Sequence, residues 1–191
     1  MSNWLYANVE PTAPWRGVQS VPRVLSLARR PEGIRLIQTP IAELRALRAT
    51  PGPTVVPAAA ALPPSAEIEV EVQRSAGGEA GLRLTSAAGE EVVIGVAAAP
   101  PEVFVDRRRS RATPFHEAYP ERHAGPVRWR DDRITLRILF DRSTLEVFAN
   151  DGETVISERV YPTRPLDRLE LRPGAGVGPT VRLWELRPVW P

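Results

Sequence analysis

The stretch Ile134–Tyr161, ITLRILFDRSTLEVFANDGETVISERVY, constrains this chain more than any other. Ile134, Leu136, Ile138 and Phe140 alternate with Thr135 and Arg137, the period-two pattern of a strand with one buried face. Asp141-Arg142-Ser143 interrupts, and Leu145, Val147 and Ala149 resume the alternation. Asn150-Asp151-Gly152 follows, three residues that tolerate the positive φ of a tight turn. A third run, Thr154 to Tyr161, stops at Pro162. Three strands joined by two turns form an antiparallel meander, whose apolar face the rest of the chain has to cover.

Short runs elsewhere repeat the theme. Residues 1–40 hold Trp4 and Tyr6, then Val18 to Leu27, then Ile34 to Ile37, separated by Pro11–Pro14 and Pro31-Glu32-Gly33; they read as two or three strands. Ile41, Leu44 and Leu47 lie three apart on one face of a short helix over residues 41–48. Thr50 to Pro64 is a Pro/Ala stretch with almost no charge, a linker or crossing loop. Then Ile68, Val70 and Val72 alternate with Glu67, Glu69 and Glu71. Leu82 with Leu84, Val92 to Val96, Val103 to Val105, Arg168 to Leu171 and Val181 to Leu186 supply further strands, and Arg107 to Tyr119 reads as a loop. Seven to nine short strands at this spacing argue for an all-β protein, an antiparallel β-sandwich. Its 21 prolines and 13 glycines among 191 residues suit many turns better than long helices.

Composition excludes several classes. No cysteine is present, so neither a disulfide framework nor a thiolate site is available. All 25 basic residues are arginine, yet the formal charge is only +2 because acids are interleaved. A nucleic-acid footprint needs a basic patch, and none is apparent. No run of about 18 apolar residues exists to span a membrane. MSNWLYANVE lacks the charged and apolar regions of a signal peptide, which leaves localisation open.

DRSTLEVFANDGETVISERVYP resembles the C-terminal β-sandwich of glycoside hydrolase family 32, the family of invertases, levanases and inulinases. VFVDRRRS followed by FHEAYPERHAGPV is similar to the preceding segment of that module. MSNWLYANVEPTAPWRGVQSVPRVLSL resembles the last blade of the family's five-bladed catalytic propeller, with SNW-x-YA and PWRG closest to the levanase and inulinase side. The resemblance implies three parts: residues 1–40 as a remnant of the last propeller blade, 41–50 as a short connecting helix, and 51–191 as the C-terminal β-sandwich. Family members are retaining β-fructosidases, which need two carboxylates about 5 Å apart across the scissile bond. The family draws these from WMNDPNG-like, RDP and EC motifs, and none of the three occurs here. The resemblance therefore implies a structural or accessory part of a fructan- or sucrose-hydrolysing enzyme, inactive alone, with no cofactor or metal. A stand-alone fructan-binding module is the alternative.

Trp4 is the one substrate-binding candidate: in the family the tryptophan of this motif walls the fructose pocket. Plain packing in a strand pair is its other reading. Arg16, in PWRG, either meets a carboxylate or fixes a loop. Asp141 and Glu146 can be drawn as an acid pair, but a turn aspartate caps backbone and Glu146 is the polar partner in an alternating strand. His116 and His123, near Glu117 and Glu121, lack the tight paired spacing of zinc sites and read as loop residues. Arg107, Arg108, Arg109 and Arg111 form the only charge run, a solvated loop unless an acidic partner or anionic sugar meets it. Trp129, Trp184 and Trp190 would matter to sugar only as a flat exposed cluster. The expected partners are a catalytic propeller and sucrose, levan or inulin. The exposed blade edge invites self-association, so residues 1 to about 20 are expected to be disordered or self-associating.

Overall fold

The computed structural model describes residues 3–14, 16–74, 77–176 and 178–189. A 3₁₀ turn at Ala7–Val9 precedes a hairpin of β1 (Arg23–Arg30) and β2 (Gly33–Pro40), and a second 3₁₀ segment spans Ala42–Leu47. The strands that follow are β3 (Thr54–Val56), β4 (Ala59–Ala61), β5 (Ser65–Gln73), β6 (Glu79–Ser86), β7 (Glu91–Ala98) and β8 (Pro101–Asp106). The chain continues through β9 (Arg122–Pro126), β10 (Arg133–Asp141), β11 (Thr144–Ala149), β12 (Thr154–Arg159), β13 (Leu166–Arg172) and β14 (Thr180–Glu185). Beyond the hairpin they form two six-stranded sheets, ordered β12-β11-β10-β5-β14-β3 and β4-β13-β6-β7-β8-β9.

The meander forms in the register its alternation demands. Leu136 faces Ala149, Ile138 faces Val147 and Phe140 faces Leu145, while on the other flank Ile138 faces Ile68 and Leu136 faces Val70. These side chains meet Leu82, Leu84, Ile94, Val103 and Val105 of the second sheet in one core. Each fully buried aliphatic side chain contributes about 1.5–3 kcal/mol, so the core dominates stability. Asn150 and Asp151 take φ of 46° and 61°, the left-handed pair the sequence predicts. The Asn150 amide then ties the turn down, donating to Arg128 O at 2.7 Å and accepting from Thr135 N at 3.2 Å.

The structure refines the reading in three places. The Pro/Ala stretch is not a bare linker: β3 adds to β14 at the edge of the first sheet and β4 adds to β13 at the edge of the second. The short helix after Ile41 is of the 3₁₀ type, and a spacing of three is the period at which 3₁₀ side chains eclipse; Ile41, Leu44 and Leu47 are half-shielded. Strand β9 closes the β8 edge with a sequence, RHAGP, that carries no alternation. No described helix is long and apolar enough to cross a membrane.

Candidate functional site

The outward face of the first sheet is where the N-terminal segments meet the sandwich. Alternation places Glu67, Glu69, Arg137, Glu146, Phe148 and Trp184 on this face, opposite the core residues of the same strands. Two clamps hold the hairpin and its 3₁₀ extension there. Arg23 Nη2 pairs with Glu146 Oε2 at 2.5 Å and donates to Ser157 Oγ, and Glu146 Oε1 accepts the Val21 amide at 2.7 Å. Arg48 donates from Nε and Nη2 to both oxygens of fully buried Glu67 at 2.8 and 2.9 Å, and lies 3.7 Å from the Trp184 ring centroid. Arg137 adds a third bond to Glu67 at 2.7 Å. Burial pushes the Glu67 carboxyl up, but the Arg48 hydrogen bond and the Arg137 and Arg48 charges outweigh it and hold the group below its ordinary range. At the far end the Gln38 amide donates to Gly152 O at 3.1 Å. Gly152 has φ +90°, and a Cβ there would come within 2.0 Å of Gln38 O, so only glycine fits this approach.

The segment before the hairpin is latched separately. Tyr6 is buried in an aromatic cluster with Phe115, Tyr119 and Tyr161. Its hydroxyl accepts from Arg107 Nη2 at 2.8 Å, and Arg107 Nη1 donates to Arg159 O at 2.9 Å. Glu10 pairs with Arg159 at 2.5 Å, both buried. Glu158 lies between Arg107 and His123, and burial raises its carboxyl above the ordinary range despite both neighbours. Among the described residues Tyr6 and Glu10 thus anchor this segment to the sandwich.

The remaining sequence candidates fall as follows. Trp4 is 98% exposed, its ring in water one residue from the Leu5 amide that Asn3 caps. Arg16 donates to Thr12 Oγ1 at 3.3 Å; its motif neighbour Trp15, like Ser2 and Trp190, lies outside the described residues. Asp141 accepts from Ser65 Oγ at 2.8 Å, and Glu146 is engaged by Arg23 and the Val21 amide. His116 accepts from the Ala118 amide while His123 contacts Glu121 and Glu158, and the described residues contain no group of acids and histidines fit to hold a metal. The charge run divides: Arg108 and Arg109 are solvated, whereas Arg107 is 2% exposed and central to the latch. Trp184 is buried under Arg48 and Trp129 packs on the core, so neither joins a flat sugar platform.

What the hairpin leaves open is as informative as what it clamps. Register puts Leu25, Leu27, Leu36 and Ile34 on one hairpin face, and they are 62, 73, 49 and 62% exposed. A contiguous apolar face of this kind marks an interaction surface.

Residues 43–185 match the model for the C-terminal region of glycosyl hydrolases family 32, and the chain belongs to that family. It is 37% identical to a levanase of Bacillus sp. (strain L7) over 85% of this chain and 19% of the relative. It is 34% identical to the levanase of Bacillus subtilis (strain 168), over 98% of this chain and 31% of the relative. The crystal structure of exo-inulinase from Aspergillus awamori superposes with a TM-score of 0.89 at 22% identity, over 98% of this chain and 39% of that one. The chain thus spans about a fifth to a third of the length of these two levanases.

Proposed function

We propose that this chain is the C-terminal portion of a β-fructosidase of the levanase and inulinase kind. Residues 1–40 complete the last blade of a catalytic propeller, and residues 51–191 are a sandwich that holds that blade in place. The sandwich is accessory; the nucleophile and acid of fructoside hydrolysis come from the propeller, and Trp4 supplies one wall of the fructose pocket. The observation that carries this reading is the division of the hairpin: one face buries Ile37 and is ion-paired to the sandwich through Arg30 and Glu153, and the Leu25–Leu27–Leu36–Ile34 face is bare. A neighbouring blade covers such a face by the same apolar packing that unites sheets elsewhere. Levan and inulin as substrates are supported by the named activities of the relatives, levanase and exo-inulinase.

The test is reconstitution. The 191-residue chain is assayed for fructose release from sucrose, levan and inulin, alone and mixed with the N-terminal propeller portion of the Bacillus subtilis levanase. The expected result is no release by the chain alone, release with the propeller present, and a loss of at least tenfold in that release with Trp4→Ala. Release by the chain alone overturns the accessory reading. Calorimetric titration with inulin oligomers checks the competing reading: saturable heat from the isolated chain makes it a fructan-binding module instead.

A further inference from the structure

A largely apolar pocket lies at the opposite end of the meander from Gly152, away from the Arg23 and Arg48 clamps. Its cavity measures about 570 Å³, within the range of small-molecule sites. The floor is Leu62, Phe140, Val160 and Leu166, each no more than 5% exposed. Pro11, Pro64, Pro162 and Pro165 wall it, and proline rings present rigid CH faces that an aromatic ring can lie against without ordering cost. One wall is pinned from beneath: Glu90, buried, accepts from the Thr163 amide at 2.7 Å, the Thr163 hydroxyl at 3.0 Å and the Arg164 amide at 3.4 Å.

Around this apolar floor stand Arg111, Arg142 and Arg164, with Asp167 the one acid among the lining residues. Arginines elsewhere in the protein mostly reach a carboxylate, as Arg23, Arg48, Arg83 and Arg130 do. Among the described residues no ion pair uses any of the three. Arg111 is held by two carbonyls, donating to Thr113 O at 3.1 Å and Tyr161 O at 2.8 Å, so its charge is fixed in place and uncompensated. Arg142 sits at φ +50°, a left-handed position that glycine or asparagine adopts at less cost. Arg142 and Arg164 stand exposed at the rim and Arg111 is half-buried, so three guanidinium groups without an ion pair border one apolar floor and are free to meet an anionic ligand.

We infer that this pocket binds an aromatic carboxylate, its ring against the proline walls and its carboxylate between the arginine side chains. Guanidinium matches carboxylate bidentately and also stacks on aromatic faces, so both halves of such a ligand find partners. A neutral fructan would leave the charges unmatched, which separates this site from the proposed sugar chemistry. Calorimetric titration of the 191-residue chain with cinnamate is the test. Expected are saturable one-to-one binding, at least tenfold weaker binding of cinnamyl alcohol, and at least tenfold weaker cinnamate binding to the R142Q/R164Q variant. Ser143→Trp keeps all three arginines, fills the mouth of the cavity and is expected to abolish binding. No saturable cinnamate binding, equal affinity for the alcohol, unchanged affinity in either variant, or displacement of cinnamate by inulin oligomers would each overturn the assignment.

Discussion

The β1–β2 hairpin and the β10–β12 meander are written in similar letters and end in opposite states. Both alternate aliphatic with polar residues, and both pair antiparallel without a bulge. In the meander Ile134, Ile138 and Val147 are wholly buried, whereas in the hairpin Leu25 and Leu27 stand mostly in water. The difference lies in what faces each element. The meander meets a second sheet of the same chain; the hairpin meets the sandwich through arginine–carboxylate clamps and turns its leucines away. Alternation thus specifies a face to be covered, and says nothing of whether the cover is in the same polypeptide.

That contrast is sharpest in stability. Leu82→Ala opens a cavity in the core and should cost about 2–5 kcal/mol, while Leu27→Ala, at 73% exposure, should stay within about 0.5 kcal/mol. Urea unfolding followed by far-UV circular dichroism reads both. Equal losses would mean the hairpin face is covered in solution, by a second copy or otherwise.

Next in size is the seam between the regions. Gly152→Ala puts a methyl group into the Gln38 carbonyl at a φ of +90°, a strain of about 1–3 kcal/mol. The hairpin should lift while the sandwich core persists. Hydrogen exchange should show the Gln38 amide losing protection and the Ile138 amide keeping it; loss at both would mean that hairpin and sandwich unfold as one unit.

The smallest effect is in pH. Glu67 and Glu90 both have carboxyls lowered in the folded state, the push of burial being outweighed by Arg48 and Arg137 for the first and by Thr163, Ala112 and Arg164 for the second. A lowered folded value adds stability above the unfolded value, about 4.5, that is lost as pH falls through the folded one. Glu158 has the opposite sign: burial raises its carboxyl, so protonation relieves a penalty at the Tyr6 latch. Acidification from pH 7 to 4 should therefore weaken the sandwich more than the latch. The pH slope of the urea midpoint should be shallower in Glu90→Gln, and an unchanged slope would remove Glu90 from this account.

How far the fold was legible follows the same physics. The meander could be read because each strand has one buried face and its turn residues are conformationally special. Strands β3 and β4, three residues each and rich in alanine and valine, have no period to read; they are strands because an edge is present to receive them. The Arg107 latch was hidden for a related reason. In sequence it is one of three adjacent arginines, and its burial depends on Tyr6, 101 positions away. Trp4 and Arg16 stood out through motif resemblance alone, and neither forms part of a pocket with the other. Nothing in the local pattern distinguishes Arg111, Arg142 and Arg164 from solvated arginines, since only the fold gathers them round one floor.

The short strands β3 and β4 also act as a ruler. Val56 ends in one sheet and Ala59 begins in the other, so three steps of the backbone cross between layers. Fully extended, three steps reach about 10–11 Å, and stacked sheets lie about 10 Å apart. The crossing bends at Pro57 and Ala58, where the Ala58 carbonyl accepts the Leu171 amide. A chain shortened by one residue at Pro57 or Ala58 could keep either β3 or β4 in its ladder but not both, whereas a lengthened one would form a loop and leave the spacing unchanged. Length variation at this point should be one-sided, tolerant of insertion and intolerant of loss.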